Sequence, residues 1–161
     1  MNTLYCRVLK PILFLFSADA VHALFITIGE FAGRCVIAKW LLRLFYNYRG
    51  PDISKVVDGI TYRTPILLSA GFDPDGQLTR VLSSLSFGGE EVGSITAHKC
   101  EGNPRPWFTR LVRNKSFVVY KGLRNRGVDA LIKKLSNLDI RCPSQRRTSD
   151  VPRFVLGVSN A

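Results

Sequence analysis

Few of the residues that mark common chemistries are present. The four cysteines, Cys6, Cys35, Cys100 and Cys142, are far apart and form no CxxC pair. That excludes the usual zinc modules and dithiol redox motifs. Scattered thiols of this kind read as reduced or buried groups in a protein facing the cytosol. Histidine is scarcer still, with His22 and His98 only. Neither sits in a local pattern with a serine or cysteine nucleophile, so no catalytic triad is visible. His98-Lys99-Cys100 offers two metal ligands where a site needs more. Acids are few, 12 against 23 Lys and Arg, for a net charge of +11. No uninterrupted apolar run reaches the ~18–20 residues of a spanning helix, because Asp19, His22, Glu30 and Arg34 break the N-terminal hydrophobic region. Internal repeats and low-complexity segments are absent.

What is present suits one domain with a real core. The chain has 161 residues, 46% hydrophobic and 22% charged, which excludes a chain disordered by composition. Its basicity is uneven. Residues 1–50 carry +4, residues 51–96 carry −3 and residues 97–153 carry +10. Two separate basic zones fit an anionic membrane, an anionic ligand or nucleic acid.

The first zone is apolar as well as basic. "TLYCRVLKPILFLF" (3–16) embeds Arg7 and Lys10, and Pro11 is expected to kink or restart a helix there. Ser17 or Asp19 is placed to cap a second helix, "ADAVHALFITIGEFAGR", with Leu24, Phe25, Ile28 and Phe31 on one face. "CVIAKWLLRLFYNYRG" follows. A spanning helix, a signal peptide cleaved near Ala18-Asp19-Ala20, and amphipathic helices lying on a bilayer compete as readings. An ordinary helical hairpin packed on the domain is the bland alternative. The excess of Phe, Leu and Trp among Arg and Lys favours the surface-lying helices.

From residue 55 the texture changes. "KVVDGITY" is a β-hairpin with Asp58-Gly59 as its turn. "PILLSAGF" reads as a buried strand, "GQLTRVLSSL" as a helix burying Leu78, Val81, Leu82 and Leu85, and "EEVGSIT" as the next strand. "AHKCEGNPRPWFTRLVRNKS" is too rich in Pro, Asn and Gly to be regular, with "FVVY" a short strand after it. "GVDALIKKLSNL" is a helix with Val128, Leu131, Ile132 and Leu135 on one face, and a basic polar loop over 141–153 leads to "RFVLGVS", a core strand. This order predicts an α/β fold with a parallel sheet of about three strands. A closed (β/α)8 barrel takes ~250 residues, so the chain reads either as a small open sheet or as the front part of a barrel.

In such folds ligands sit beyond the carboxyl ends of the strands. Ala70 to Gly76, Gly93 to Thr96 and the residues after Val158 qualify. Small residues at Ala70, Gly71, Gly93 and Ser94 allow a flat ligand to approach the backbone, and the Ser94 and Thr96 hydroxyls are expected to bond ring carbonyls. Equally, glycines at strand ends are ordinary turn formers. Asp73 and Asp75 are too turn-like for an acid–base pair, and Asp73 is expected to cap the following helix. Gly88-Gly89 is a turn rather than a phosphate loop. Trp107 and Phe108 interleaved with Arg105 and Arg110 are compatible with RNA binding.

"SAGFDPDG", "FGGEEVGSIT" and "EGNPRPWFTRL", in that order and spacing, resemble the class 2, membrane-associated dihydroorotate dehydrogenases. "LYCRVLKPILF" with "SADAVHAL" is similar to that family's opening helices, and "VVDGITYRTPILLSAGF" to its hairpin and first strand; the likeness runs over residues 4–34 and 55–158. The resemblance implies the N-terminal part of an FMN-binding (β/α)8 barrel. Residues 1–50 would be the helical membrane-associating, quinone-tunnel extension and 51–161 an incomplete barrel portion. It implies oxidation of dihydroorotate to orotate in pyrimidine biosynthesis, with electrons passing through FMN to a membrane quinone at the cytoplasmic face of the inner membrane.

Position by position, the resemblance implies flavin contacts at Ala70, Gly71, Phe72, Asp73, Pro74, Ser94 and Ser159. It implies substrate contacts over Val119, Tyr120, Lys121, Gly122 and Leu123, and a quinone end near His22 and Arg110. Several of these depart from the family pattern. Pro74 stands where the family has a lysine touching flavin and substrate, Val119 where an asparagine bonds orotate, and Ser159 where an asparagine contacts FMN. Lys121 replaces an apolar or aromatic residue, Leu123 a phenylalanine and Arg124 an asparagine, while Gly122 is kept. The catalytic base, a serine in the class 2 enzymes, is expected beyond residue 161, with the lysine beneath the flavin and the phosphate loops. The 161 residues alone are therefore expected to be inactive. Two alternatives stand beside this reading: a non-catalytic basic membrane-surface protein retaining a fold fragment, and, ranked below it, a nucleic-acid-binding domain.

Overall fold

The computed structural model describes residues 2–137 and 154–161. The N-terminus is helical through α1 (Asn2–Leu4), a π-helical segment (Tyr5–Leu9) and α2 (Lys10–Phe14). Pro11 restarts the α-helix there, with its missing N–H in the first turn, where it costs nothing. Ser17 caps α3 (Ala18–Arg34), its Oγ accepting from the Ala20 N–H at 3.2 Å. A short break at Cys35 leads to α4 (Val36–Tyr46).

The apolar face foreseen on α3 is not the face that packs. Leu24, Phe25, Ile28 and Phe31 are exposed, as are Val36, Ile37, Trp40 and Phe45 on α4. The packed face runs through Ile26, Gly29 and Gly33. Ile26 joins Leu78, Val81 and Leu82 in one core cluster, with Ala32 and Leu42 against it. A Cβ at Gly33 would stand 2.9 Å from that of Arg80, so glycine permits this approach of α3 to the turn carrying Arg80 and Val81.

The hairpin β1 (Lys55–Val57) and β2 (Ile60–Tyr62) forms as the Asp58-Gly59 turn demands, with φ of 51° and 75°. β3 (Leu67–Leu68), β4 (Gly89–Ile95) and β7 (Val155–Asn160) make a three-stranded parallel sheet in that order. This agrees with the expected α/β class. β3 is shorter than expected, because Ile66 and Leu67 lie exposed at the sheet's edge. α5 (Thr79–Leu82) is a single turn rather than the longer helix expected. Tight turns continue it, with Ser84 N bonding Val81 O and Leu85 N bonding Leu82 O, and the Ser83 hydroxyl donates back to Arg80 O.

The stretch expected to be irregular holds a strand, β5 (Phe108–Leu111), which pairs as a second hairpin with β6 (Ser116–Val119), the short strand expected at "FVVY". The Pro, Asn and Gly that suggested a loop lie before it. "FTRL" and "SFVV" pair across the turn that Lys115, at φ 50°, completes. α6 (Val128–Ser136) packs on the second core cluster, formed with Val92 and Ile95, through Leu131 and Leu135. Val128 and Ile132, expected on that face, are exposed. The basic loop over 141–153 and Cys142 lie outside the described residues.

Candidate functional site

The carboxyl ends of the parallel strands open into a pocket of about 290 Å³. Ala70, Gly71 and Pro74 form the wall beyond β3, and Gly93 and Ser94 the wall within β4. Val119, Lys121, Gly122, Leu123 and Arg124 close it from the segment leaving β6. Residues far apart in the chain, singled out as flavin or substrate contacts, thus meet in one place.

The backbone explains the meeting. Gly71 N donates to Gly93 O at 2.8 Å, extending the β3–β4 register past the end of β3. The β4–β7 ladder shifts register between Val92 and Ile95. Gly93 sits there at φ 115°, where a Cβ would run into the Ser159 carbonyl, so no other residue fits. Ser159 lies beside the pocket, with its Oγ 3.2 Å from that of Ser94. The two hydroxyls form a small polar floor between β4 and β7.

Other expected contacts turn elsewhere. Thr96, expected to face a ring, bonds the His98 carbonyl and the Asn125 side chain instead. Tyr120 is exposed and does not line the pocket; its N–H donates to Trp107 O at 2.7 Å. Asp73, expected to cap the following helix, is not its N-cap, which is Leu78 without a side-chain cap; buried, Asp73 instead accepts the Leu78 N–H from five residues back and closes the loop ahead of α5. Phe72 turns toward α3.

There it meets the second constellation. His22 Nε2 lies 3.0 Å from Phe72 O, and since a carbonyl only accepts, that nitrogen carries the proton. The imidazole packs against Phe72 and Phe108, with ring centroids 5.0 and 4.8 Å away. Burial chiefly holds its pKa below the ordinary histidine value, with Lys121 adding to this against the Phe72 hydrogen bond, so the ring is neutral at pH 7. Arg110 donates to Phe16 O at 2.7 Å and lies over the Phe14 ring at 4.6 Å. The two residues expected at the quinone end therefore both tie the N-terminal helices to the barrel portion. A smaller pocket of about 170 Å³ lies under α3. It shares Pro74, Lys121 and Arg124 with the strand-end pocket.

Three organising residues were not foreseen. Asp19, taken as a possible cap, accepts from Trp107 N and Phe108 N at 3.1 and 2.9 Å, fastening α3 to the start of β5. Asn125 is buried, accepts from Gly127 N and donates to Thr96 Oγ1 and Leu123 O. An Asn two residues before a glycine at a helix start was the available signal. Asp75 accepts from Arg126 N at 3.1 Å, holding the loop that carries Lys121 against the one that carries Pro74.

Glu90, on a core strand, is 2% exposed and neither carboxyl oxygen has a hydrogen-bond partner. Desolvation first, then the neighbouring Asp73 carboxylate, outweigh Thr79 and Lys134 and push its pKa up to about 8.

Among the described residues no group of His, Cys, Asp and Glu suits a metal ion. The pocket suits the flat ring of a flavin by its small-residue walls and the Ser94 hydroxyl, with Ser159 behind it. Its lining carries two cations, Lys121 and Arg124.

A protein-family model described as dihydroorotate dehydrogenase matches residues 53–151. The chain is 37% identical over 123 residues to a dihydroorotate dehydrogenase (quinone) of Burkholderia ambifaria, covering 76% of this chain and 34% of that protein. A dihydroorotate dehydrogenase (quinone) of Mycobacteroides abscessus is 32% identical over 146 residues, 91% of this chain and 39% of the relative. Among solved structures, DHODH from Eimeria tenella in complex with ferulenol aligns with a TM-score of 0.55 at 28% identity, over 80% of this chain and 34% of that one. The ligand-free form from the same organism gives 0.54 at 26% identity, over 81% and 37%. The chain thus spans about a third of the length of the first of these curated relatives.

Proposed function

The chain belongs to the dihydroorotate dehydrogenase family, and from that premise we propose that its strand-end pocket is the flavin edge and substrate side of a quinone-dependent enzyme of that family. The observation that carries this is the convergence of Gly71, Ser94 and the 119–124 segment on one pocket. Bound FMN would supply the hydride acceptor and pass electrons on to a quinone. Gly71 and Gly93 admit the ring to the backbone, and Ser94 and Ser159 offer hydroxyls to its polar edge. Pro74 and Val119 bring no side-chain donor to the pocket. Asp73 and Asp75 fix the two loops that face one another across it.

Residues 1–50 act in this reading as the membrane-associating, quinone-side extension, and residues 51–161 as the barrel portion. Among the described residues no single helix is long and apolar enough to cross a membrane, although Tyr5–Phe14 with Ala18–Arg34, bent by 114°, passes by length and composition together. The exposed Phe31, Trp40 and Phe45 suit a bilayer surface on the cytoplasmic side of the inner membrane, with Lys39 and Arg43 toward lipid phosphates. His22 and Arg110 then stand where a lipid-dissolved quinone would arrive.

The 161-residue chain should bind FMN weakly and turn over no dihydroorotate above background with FMN and a quinone supplied. Measured turnover would overthrow the view of this pocket as lacking essential donors. A second reading, a non-catalytic membrane-surface protein, is favoured by Pro74, Val119 and the exposed helix faces. Salt-sensitive binding to anionic vesicles with no FMN binding would select it.

A further inference from the structure

An ammonium group drawn out of water is normally paired with an anion. Lys121 is half-buried between the two pockets, and among the described residues it makes no ion pair. Its Nζ donates to Gly71 O at a long 3.5 Å and lies 5.8 Å from the centre of the Phe108 ring. The two carboxylates whose charges reach it form no ion pair with it: Asp75 takes the backbone and guanidinium of Arg126, and Asp73 takes the Leu78 N–H on one oxygen while its Oδ1 is buried without a partner. Arg124 adds a second positive charge to the same pocket wall. The opposing wall carries Pro74, which has no donor to offer.

We infer that Lys121 is the anchoring cation for the carboxylate of a small, flat anionic ligand in the strand-end pocket. This rests on the reading of that pocket given above and names the residue that recognises the anion in this chain. The pocket's small walls at Ala70, Gly71 and Gly93 set the flatness, and its volume of about 290 Å³ sets the size. The cation arrives from the segment leaving β6 rather than from the loop after β3. Burial first, then the charge of Arg124, holds the Lys121 ammonium below the ordinary lysine value. An arriving carboxylate brings the opposite charge that favours the ammonium and offsets Arg124, so binding is expected to raise that pKa.

The test follows the Lys121 side chain by NMR in the whole 161-residue chain, with its resonance assigned through Lys121→Arg. Orotate, benzoate, uncharged uracil and inorganic phosphate are titrated separately. Orotate and benzoate should shift the Lys121 signal and raise its pKa, whereas uracil should not. Lys121→Met should weaken both carboxylates by about tenfold or more, with Lys121→Arg retaining most of the affinity. Carboxylates that bind Lys121→Met as tightly as the parent, or that leave the Lys121 signal unmoved, overturn the assignment. Phosphate perturbing Lys121 where carboxylates do not overturns it too. Benzoate acting where orotate is silent leaves Lys121 as the anion anchor and removes the orotate-site reading instead.

Discussion

Glu90→Gln is the most informative single change to the core. Glu90 sits on β4 with both carboxyl oxygens buried and without a hydrogen-bond partner. Its pKa stands at about 8 in the fold against 4.5 for a free side chain. A folded-state pKa above the unfolded one means that folding takes up a proton between those two values. The fold is therefore undisturbed by this group below about pH 4.5. It loses stability as pH rises toward 8, at about 1.4 kcal/mol per pH unit, and levels off beyond. The full span comes to roughly 5 kcal/mol, a large share of the ~5–15 kcal/mol that holds a domain together. His22 works in the opposite sense, because its folded pKa is lowered. The difference between parent and Glu90→Gln cancels the His22 contribution and reports Glu90 together with the Asp73 carboxyl beside it. Urea denaturation from pH 5 to pH 9 should show the parent losing ground steadily to the variant up to about pH 8. Parallel curves for the two proteins, or a parent that gains on the variant as pH rises, would refute the reasoning.

Further changes probe the joints of the fold. Asp19→Ala removes the acceptor for two backbone N–H groups at the start of β5. It should cost about 1–3 kcal/mol and speed hydrogen exchange at Trp107 and Phe108; unchanged exchange there would contradict the fastening role. Gly33→Leu forces a side chain into the α3–α5 contact and should destabilise by about 1–3 kcal/mol, while Phe31→Ala on the exposed face should change the melting temperature little in the absence of lipid. Pro74→Lys should leave FMN affinity within about a few-fold, because a single charge-assisted contact is worth little without its partners. Tight FMN binding after that one change would show the rest of the pocket to be complete.

Much of this was legible in the residues. "VVDGITY" specifies its hairpin because Asp and Gly tolerate the positive φ that the turn requires. The parallel strands announced themselves by apolar runs ending in small residues. What escaped is instructive. β6 is legible in "FVVY", but its partner β5 is hidden because the prolines and glycine preceding it colour the composition of the whole stretch. The face of α3 was misjudged because periodicity marks an apolar side without saying what covers it. Leu24, Phe25, Ile28 and Phe31 form the more apolar stripe, yet Gly29 and Gly33 meet the core. Asp19 acts through bonds to backbone groups nearly ninety residues along the chain, and no local pattern encodes such partners. Lys121 stands out in the sequence as an implied substrate contact that departs from the family pattern; its position facing Pro74 across a pocket requires the fold.

The central claim, that the strand ends form the flavin side of a dihydroorotate dehydrogenase-type site, is tested most directly by titrating FMN into the 15N-labelled chain and mapping amide shifts. The account predicts the largest changes at Ala70, Gly71, Gly93 and Ser94, with smaller ones over residues 119–124. Shifts confined to α3 and α4, with Gly71 and Gly93 unmoved at saturation, would contradict it.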